Sequence, residues 1–166
     1  LRRSRTMAVV RRKRGESNMA RFRGPRNKLA RREGTDLGLK TVGSSAHAQL
    51  MRRIKIIPGQ HSTKGRRKTS DYGIQLREKQ KVKRIYGLME KQFRNNFEIA
   101  TRDKGNTGAA LLILLERRLD NVMYRLGLAP TRIASRQYVS HGHVVVDGKK
   151  VNIPSFLVKT GSVITM

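Results

Sequence analysis

The chain of 166 residues contains no cysteine and no tryptophan. Without cysteine there is no disulfide framework, no thiol nucleophile and no thiolate-ligated zinc, which excludes a stapled secreted scaffold. Long apolar runs are missing too: the longest, Ala109 to Leu115, has seven residues, far below the roughly 20 that span a bilayer. Acidic residues are scarce, 11 against 38 lysines and arginines, and the formal net charge is +27. Such self-repulsion calls for a polyanionic partner, nucleic acid first and an anionic membrane surface second. The apolar fraction of 37% suffices for a modest core in one ordinary domain or two small ones, and not for a large enzyme.

Catalytic signatures are equally absent. No G-x-G-x-x-G, phosphate-loop or nucleophile-elbow pattern occurs. His141 and His143 are spaced as two metal ligands could be, but neither cysteine nor a carboxylate cluster completes a site. His61, in PGQHSTKGRR, reads as a loop residue bonding backbone or phosphate rather than a general base. Glu116 and Asp120 are four apart on a helix, as an acid/base pair could be. The adjacent Arg117 and Arg118 favour ion pairing instead, with Asp120 holding an arginine in place.

What the chain has is charge and core separated along its length. The first 70 residues carry +18 and only 12 Leu, Ile, Val or Phe, about 17%, a composition that cannot bury enough surface to fold alone. Ordering by a partner is expected there. Three readings are open for residues 1–18, which hold seven basic residues and one acid: a transit peptide, a basic arm along phosphate, or an extension upstream of a start at Met19. The tripeptide Met19-Ala20-Arg21 favours the arm or the extension.

Glycines at 24, 34, 38, 43, 59 and 65, with Pro25 and Pro58, predict mostly loop from 24 to 69, with at most one short helix near His47 to Lys55. From Asp71 the pattern turns helical, capped by Ser70 or Thr69. Ile74, Val82, Ile85, Met89, Phe93 and Phe97 form an apolar stripe down a helix pair broken at Gly87. The opposite face carries Arg77, Lys79, Lys81, Lys83, Arg84, Lys91 and Arg94. With only Glu78, Glu90 and Glu98 to pair them, an unneutralised basic stripe is expected.

A helix from Gly108 to Leu126, capped by Thr107 and closed by Gly127, has an apolar set of Leu111, Leu112, Leu115, Leu119, Val122, Met123 and Leu126. A second helix, Arg132 to His141, ends at Gly142 in the position after the cap. It places Arg132 and Arg136 one turn apart, as phosphate contacts whose joint replacement by alanine should spare the fold. Asp147-Gly148 between β-branched runs signals a hairpin with Lys149 and Lys150 at its tip. A last strand near Val163 and Ile164 is expected to stop without a partner, as in a truncated chain.

Three runs carry a family resemblance: GRRKTSDYGIQLREKQKVKRIYG (65–87), EKQFRNNFEIA (90–100) and LERRLDNVMYRLGLAPTRIASRQYVSHGHVVVDGKKVNIPSFLVKTGSVI (115–164). The start MARFRGPRNKLARREG (19–34) joins them. Together they resemble the bacterial type of the S4 family of small-subunit ribosomal proteins. Some members bind zinc through N-terminal cysteines; Asn27 and Ala30 stand where two of those ligands would be, so the chain resembles the zinc-free variant, and no metal or cofactor is expected.

The resemblance implies an α+β fold, a mainly helical domain plus a small RNA-binding module of two helices and a β-hairpin. The divisions are a basic extension (1–18), a loop-rich segment ordered on RNA (19–70), a helical domain (71–106) and the module (107–166). It implies a structural protein without catalysis that binds small-subunit ribosomal RNA at a multi-helix junction early in assembly. It also implies a place beside the third and fifth small-subunit proteins at the messenger RNA entrance, and repression of the protein's own messenger RNA. The setting would be the cytoplasmic ribosome or, alternatively, an organellar one.

Matched position by position, Arg117, Arg118, Arg132, Arg136, Gln137, Lys149 and Lys150 fall on the module's RNA-facing positions. Further candidates are Arg21, Arg23, Arg26, Lys28, Arg31, Arg32, Gln60, His61, Lys64, Arg66, Arg67, Lys68, Ser70, Tyr72, Arg77, Lys81, Lys83, Arg84, Arg94 and His141. The same module occurs in pseudouridine synthases, tyrosyl-tRNA synthetases and a heat-shock RNA-binding protein. The lack of catalytic residues and the likeness outside the module disfavour those readings. The mechanism expected is electrostatic positioning on folded RNA. Stacking is expected to be minor, because aromatics total 5% and Tyr72, Tyr86, Phe93 and Phe97 mostly sit at core spacing.

Overall fold

The computed structural model describes residues 22, 24–60, 62, 68–102 and 105–166. Among them are seven helices and three short strands. They run in chain order as α1 (Arg26–Glu33), α2 (Ser45–Arg53), α3 (Asp71–Ile85), α4 (Glu90–Thr101), α5 (Thr107–Glu116), α6 (Leu119–Arg125), α7 (Arg132–Ser140), β1 (Val145–Val146), β2 (Lys149–Lys150) and β3 (Ile164–Thr165). The α+β description holds: a helical N-terminal part and a small antiparallel sheet. Residues 1–18, with their basic-arm reading, lie outside the described residues.

Local chemistry accounts for most helix ends. Ser44 accepts from the His47 N–H at 3.2 Å and Ser70 from the Gly73 N–H at 3.3 Å. Thr131 accepts from the Ala134 N–H at 3.2 Å. Each hydroxyl satisfies a donor that the first helical turn leaves unpaired. Asn106, not Thr107, caps α5, its Oδ1 taking the Gly108 and Ala109 N–H groups at 2.9 and 3.3 Å. Between α3 and α4 the chain reverses through Gly87 at φ 63°, a conformation that a Cβ disfavours.

The segment before α3 is more structured than its glycines suggest. It holds α1 as well as α2, and Ala30, Leu37, Leu39 and Leu50 are buried together against Ile85 and Ile133. A second cluster joins Leu88, Phe93 and Ala100 to Leu111 and Leu115. Packing thus places α5 with α4 in the helical domain, and the change of core falls at Arg117–Arg118, one helix beyond the division at 106/107. The third cluster, Leu119, Met123, Val139, Val144, Val146 and Val158, is the module's own. At roughly 1.5–3 kcal/mol for each fully buried aliphatic side chain, this small core is what holds two helices to a two-residue-wide sheet.

Three expectations are corrected. The helix expected from Gly108 to Leu126 is two helices, because residues 154–158 cross its middle. There the Leu119 N–H donates to the Phe156 carbonyl at 2.8 Å, the Asp120 N–H to Pro154 at 3.2 Å, and the Val158 N–H to Arg117 at 2.9 Å. Those bonds use backbone groups that a continuous helix would pair internally. The last strand does have a partner: the sheet order is β2-β1-β3, with Val145 opposite both Lys150 and Thr165. The apolar stripes are only partly buried, for Ile74 is 50% exposed, Phe97 48% and Leu126 57%.

Candidate nucleic-acid interface

The hairpin is built as its sequence implies. Asp147 and Gly148 have φ of 50° and 76°, the two positive values of the tight turn whose twist matches the strands. Asp147 does more than turn: its Oδ1 accepts the Val163 N–H at 2.8 Å, tying β3 to the turn. Lys149 and Lys150 are exposed on β2. The Lys150 chain lies over Gly142, where a Cβ would come within 2.5 Å of its Cε, and Gly142 at φ 75° ends α7. His141 and His143 flank that glycine with ring centroids 6.1 Å apart. The tip lysines and the end of α7 therefore present one cationic corner. Among the described residues no group of three or more His, Cys, Asp or Glu could hold a metal ion.

Behind this corner, arginines are consumed in holding the chain together. Arg118 is buried and grips Asp120 with two bonds, Nε to Oδ1 at 3.1 Å and Nη2 to Oδ2 at 2.8 Å. Arg136 donates to the Gly87 carbonyl at 2.8 Å and stands 4.0 Å from Asp120. Arg132 bonds the Asn121 Oδ1 at 2.8 Å and lies over the rings of Tyr86 and Tyr124, at 5.4 and 4.5 Å from their centroids. The expectation that Arg132 and Arg136 occupy a free polar face is corrected. Both are partly buried and tie α7 to α6 and to the α3–α4 turn, so their removal would not spare the fold.

Glu116 is the hub of the same junction. Its carboxylate accepts from Tyr86 Oη at 2.6 Å, Asn121 Nδ2 at 2.7 Å and the Arg125 fork at 2.8 and 3.1 Å. The Arg125 bonds above all hold it at about 2, below the usual 4.5, while burial, then the bond to Glu116, pushes Tyr86 up to about 12. A carboxylate held ionised this firmly cannot serve as an acid/base catalyst near neutrality. Because its folded pKa is depressed, Glu116 contributes stability that is present above about 4.5 and is lost as the pH falls toward about 2. Glu116→Gln is expected to lower the urea midpoint at pH 7 and to shrink its fall over that acid window, measured by a titration series from pH 7 to 2.

The basic stripe of α3 and α4 is largely ion-paired but stays net positive, because six of its cations share four carboxylates. Lys79 and Lys83 share Glu90, Lys81 pairs with Glu78 at 2.6 Å, and Arg94 with Glu98 at 3.2 Å. Arg77 and Arg84 converge on Glu33, whose side chain is fully buried. Glu33 comes from α1, outside the stretch whose acids the sequence argument counted, which is why the stripe looked unpaired. Arg31 spans to the carbonyls of Ile56 and Ile57 at 2.9 and 3.3 Å.

The exposed remainder of the candidates is Lys28, Arg32, Gln60, Lys68, Ser70, Tyr72, Arg94, Arg117, Gln137, His141, Lys149 and Lys150, with Arg26 half-buried. Arg21, Arg23, His61, Lys64, Arg66 and Arg67 lie outside the described residues. Tyr72, at core spacing, is 74% exposed. Sequence reasoning also passed over Arg52, Arg53 and Lys55, exposed cations around the end of α2; the run MRRIK was the available signal.

A small basic protein with a helical domain, a helix–helix–hairpin module and cations left over from internal pairing is of the kind that serves as a scaffold rather than a catalyst. Residues 21–116 match the Ribosomal protein S4/S9 N-terminal domain and residues 117–164 the S4 domain. Among similar proteins are the small ribosomal subunit proteins uS4 of Variovorax paradoxus and Leptothrix cholodnii, 58% and 59% identical over 148 residues, which is 89% of this chain and 70% of each relative. That of Herpetosiphon aurantiacus is 59% identical over 147 residues, 88% of this chain and 69% of its own. The chain belongs to the S4 family of ribosomal proteins, a structural family without enzymatic activity.

Proposed function

We propose that the chain is a structural component of the small ribosomal subunit that binds its ribosomal RNA. The observation that carries this is the identity of nearly three residues in five with relatives named for that subunit. The uncommitted cations on α1, α2 and the hairpin tip support it. The finer reading is that the chain docks at a multi-helix RNA junction early in assembly, orders residues 19–70 on that RNA, helps line the messenger RNA entrance beside the third and fifth proteins, and represses its own message. The RNA-facing set is the exposed group above together with the candidates outside the described residues. Arg118, Arg132, Arg136, Arg77 and Arg84 act as internal positioning residues. The ribosome concerned is cytoplasmic, with an organellar one as the alternative.

Cosedimentation with small subunits tests the core of this. The chain is expected to stay with the particle through washes at high salt, as an integral component does. Complete release into the supernatant, as for a transient factor, would refute it.

A further inference from the structure

A cavity of about 510 Å³ opens between the helical domain and the module, within the size range that encloses a small molecule. Leu29, Leu39, Leu88, Met89 and Ile133 give it apolar walls. Its charged members are mostly engaged: Lys83 with Glu90, Asp120 with Arg118, Arg132 with Asn121 and Arg136 with the Gly87 carbonyl. Two polar side chains of its lining, Arg26 of α1 and Gln137 of α7, have no hydrogen bond or ion pair within the described residues. Phe22 lines the same cavity, 47% exposed. Its ring is folded over Gly24, where a Cβ would lie 2.5 Å from it, so only glycine lets the ring take that place.

We propose that this cavity takes one unstacked nucleotide of the bound RNA. The base stacks on Phe22 against the apolar wall, the Gln137 amide bonds its edge, and the Arg26 guanidinium forks onto an adjoining phosphate. The proposal rests on the RNA-binding reading above. The occupant follows from charge and shape: both carboxylates at the cavity, Glu90 and Asp120, already have cationic partners, and the uncommitted cation requires an anion beside a flat apolar body. A purely apolar peptide segment would leave Arg26 enclosed without compensation. RNA offers such groups at loops and junctions, where bases are splayed out and captured on aromatic rings.

The test uses a small-subunit ribosomal RNA transcript, the full chain, and the variants Phe22→Ala, Gln137→Ala and Arg26→Gln. Base reactivity is probed chemically alongside filter-binding affinity. One unpaired base is expected to be protected by the wild-type chain and to regain reactivity with Phe22→Ala and Gln137→Ala. Affinity should fall roughly tenfold for Phe22→Ala, the loss of one base–aromatic stack. Arg26→Gln should reduce the salt slope by about 0.7 to 0.9, the share of one phosphate. An unchanged footprint and affinity for the Phe22 and Gln137 variants would overturn the nucleotide site while leaving RNA binding standing. Failure of the wild-type chain to bind the transcript would overturn the RNA-binding reading and the site with it. Phe22 and Gln137 are exposed, so unchanged melting temperatures are expected and separate a binding defect from unfolding.

Discussion

Arg118→Ala is expected to lower the unfolding free energy by about 3–5 kcal/mol, the range for breaking a buried ion pair from one side. Arg118 is 5% exposed and Asp120 4%, and both carboxylate oxygens of Asp120 accept from Arg118. Truncation strands that anion in the joint between α5, α6 and the crossing segment 154–158. Arg136 at 4.0 Å is the nearest remaining cation, and it is held by the Gly87 carbonyl. Replacing both partners, as Arg118→Met with Asp120→Leu, should cost clearly less than the single change, because no buried charge is left uncompensated. Urea denaturation of the two variants checks this. A single-variant loss below about 1 kcal/mol would show that Arg136 takes over the carboxylate. RNA affinity, corrected for the folded fraction, should be unchanged by Arg118→Ala, which separates a positioning arginine from one that touches phosphate.

Arg118 also marks where the sequence was readable and where it was not. Features set within a few residues were legible: a hydroxyl cap at Ser70 or Thr69, of which Ser70 serves, Gly87 and Gly142 as helix ends, Asp147-Gly148 as the hairpin turn. Each rests on a local donor or a positive φ that sequence neighbours determine. What escaped was decided by partners far along the chain. The break at Arg117–Arg118 carries no glycine or proline, and is imposed by carbonyls and an amide some 35–40 residues later. Leu37 and Leu39 sat in a segment too polar to fold alone, yet Ile85 and Ile133 complete their cluster. The free or paired state of an arginine was the least legible property. Arg132 and Arg136 share a face as their spacing implies, but that face meets Asn121 from α6 and Tyr86 and Gly87 from the α3–α4 turn.

The largest effect expected of the intact chain is electrostatic. If it neutralises six to ten phosphates of a small-subunit ribosomal RNA transcript, affinity should fall by about 10³–10⁵ between 50 and 200 mM salt, each phosphate adding about 0.7 to 0.9 to the log–log slope. The 38 lysines and arginines overstate the usable cations, since Arg77, Lys79, Lys81, Lys83, Arg84, Arg118 and Arg125 already face carboxylates. The slope is therefore expected to follow the uncommitted residues. Lys149→Ala with Lys150→Ala, two exposed and unpaired cations of β2, should reduce it by up to about 1.4 to 1.8, one phosphate for each lysine. Lys79→Ala, whose ammonium faces Glu90, should leave it nearly unchanged. Filter binding across a salt series reads all three slopes. A nearly salt-independent affinity, or equal losses of slope from the hairpin pair and Lys79, would show that the ion pairs drawn along α3 do not withhold their charge from RNA.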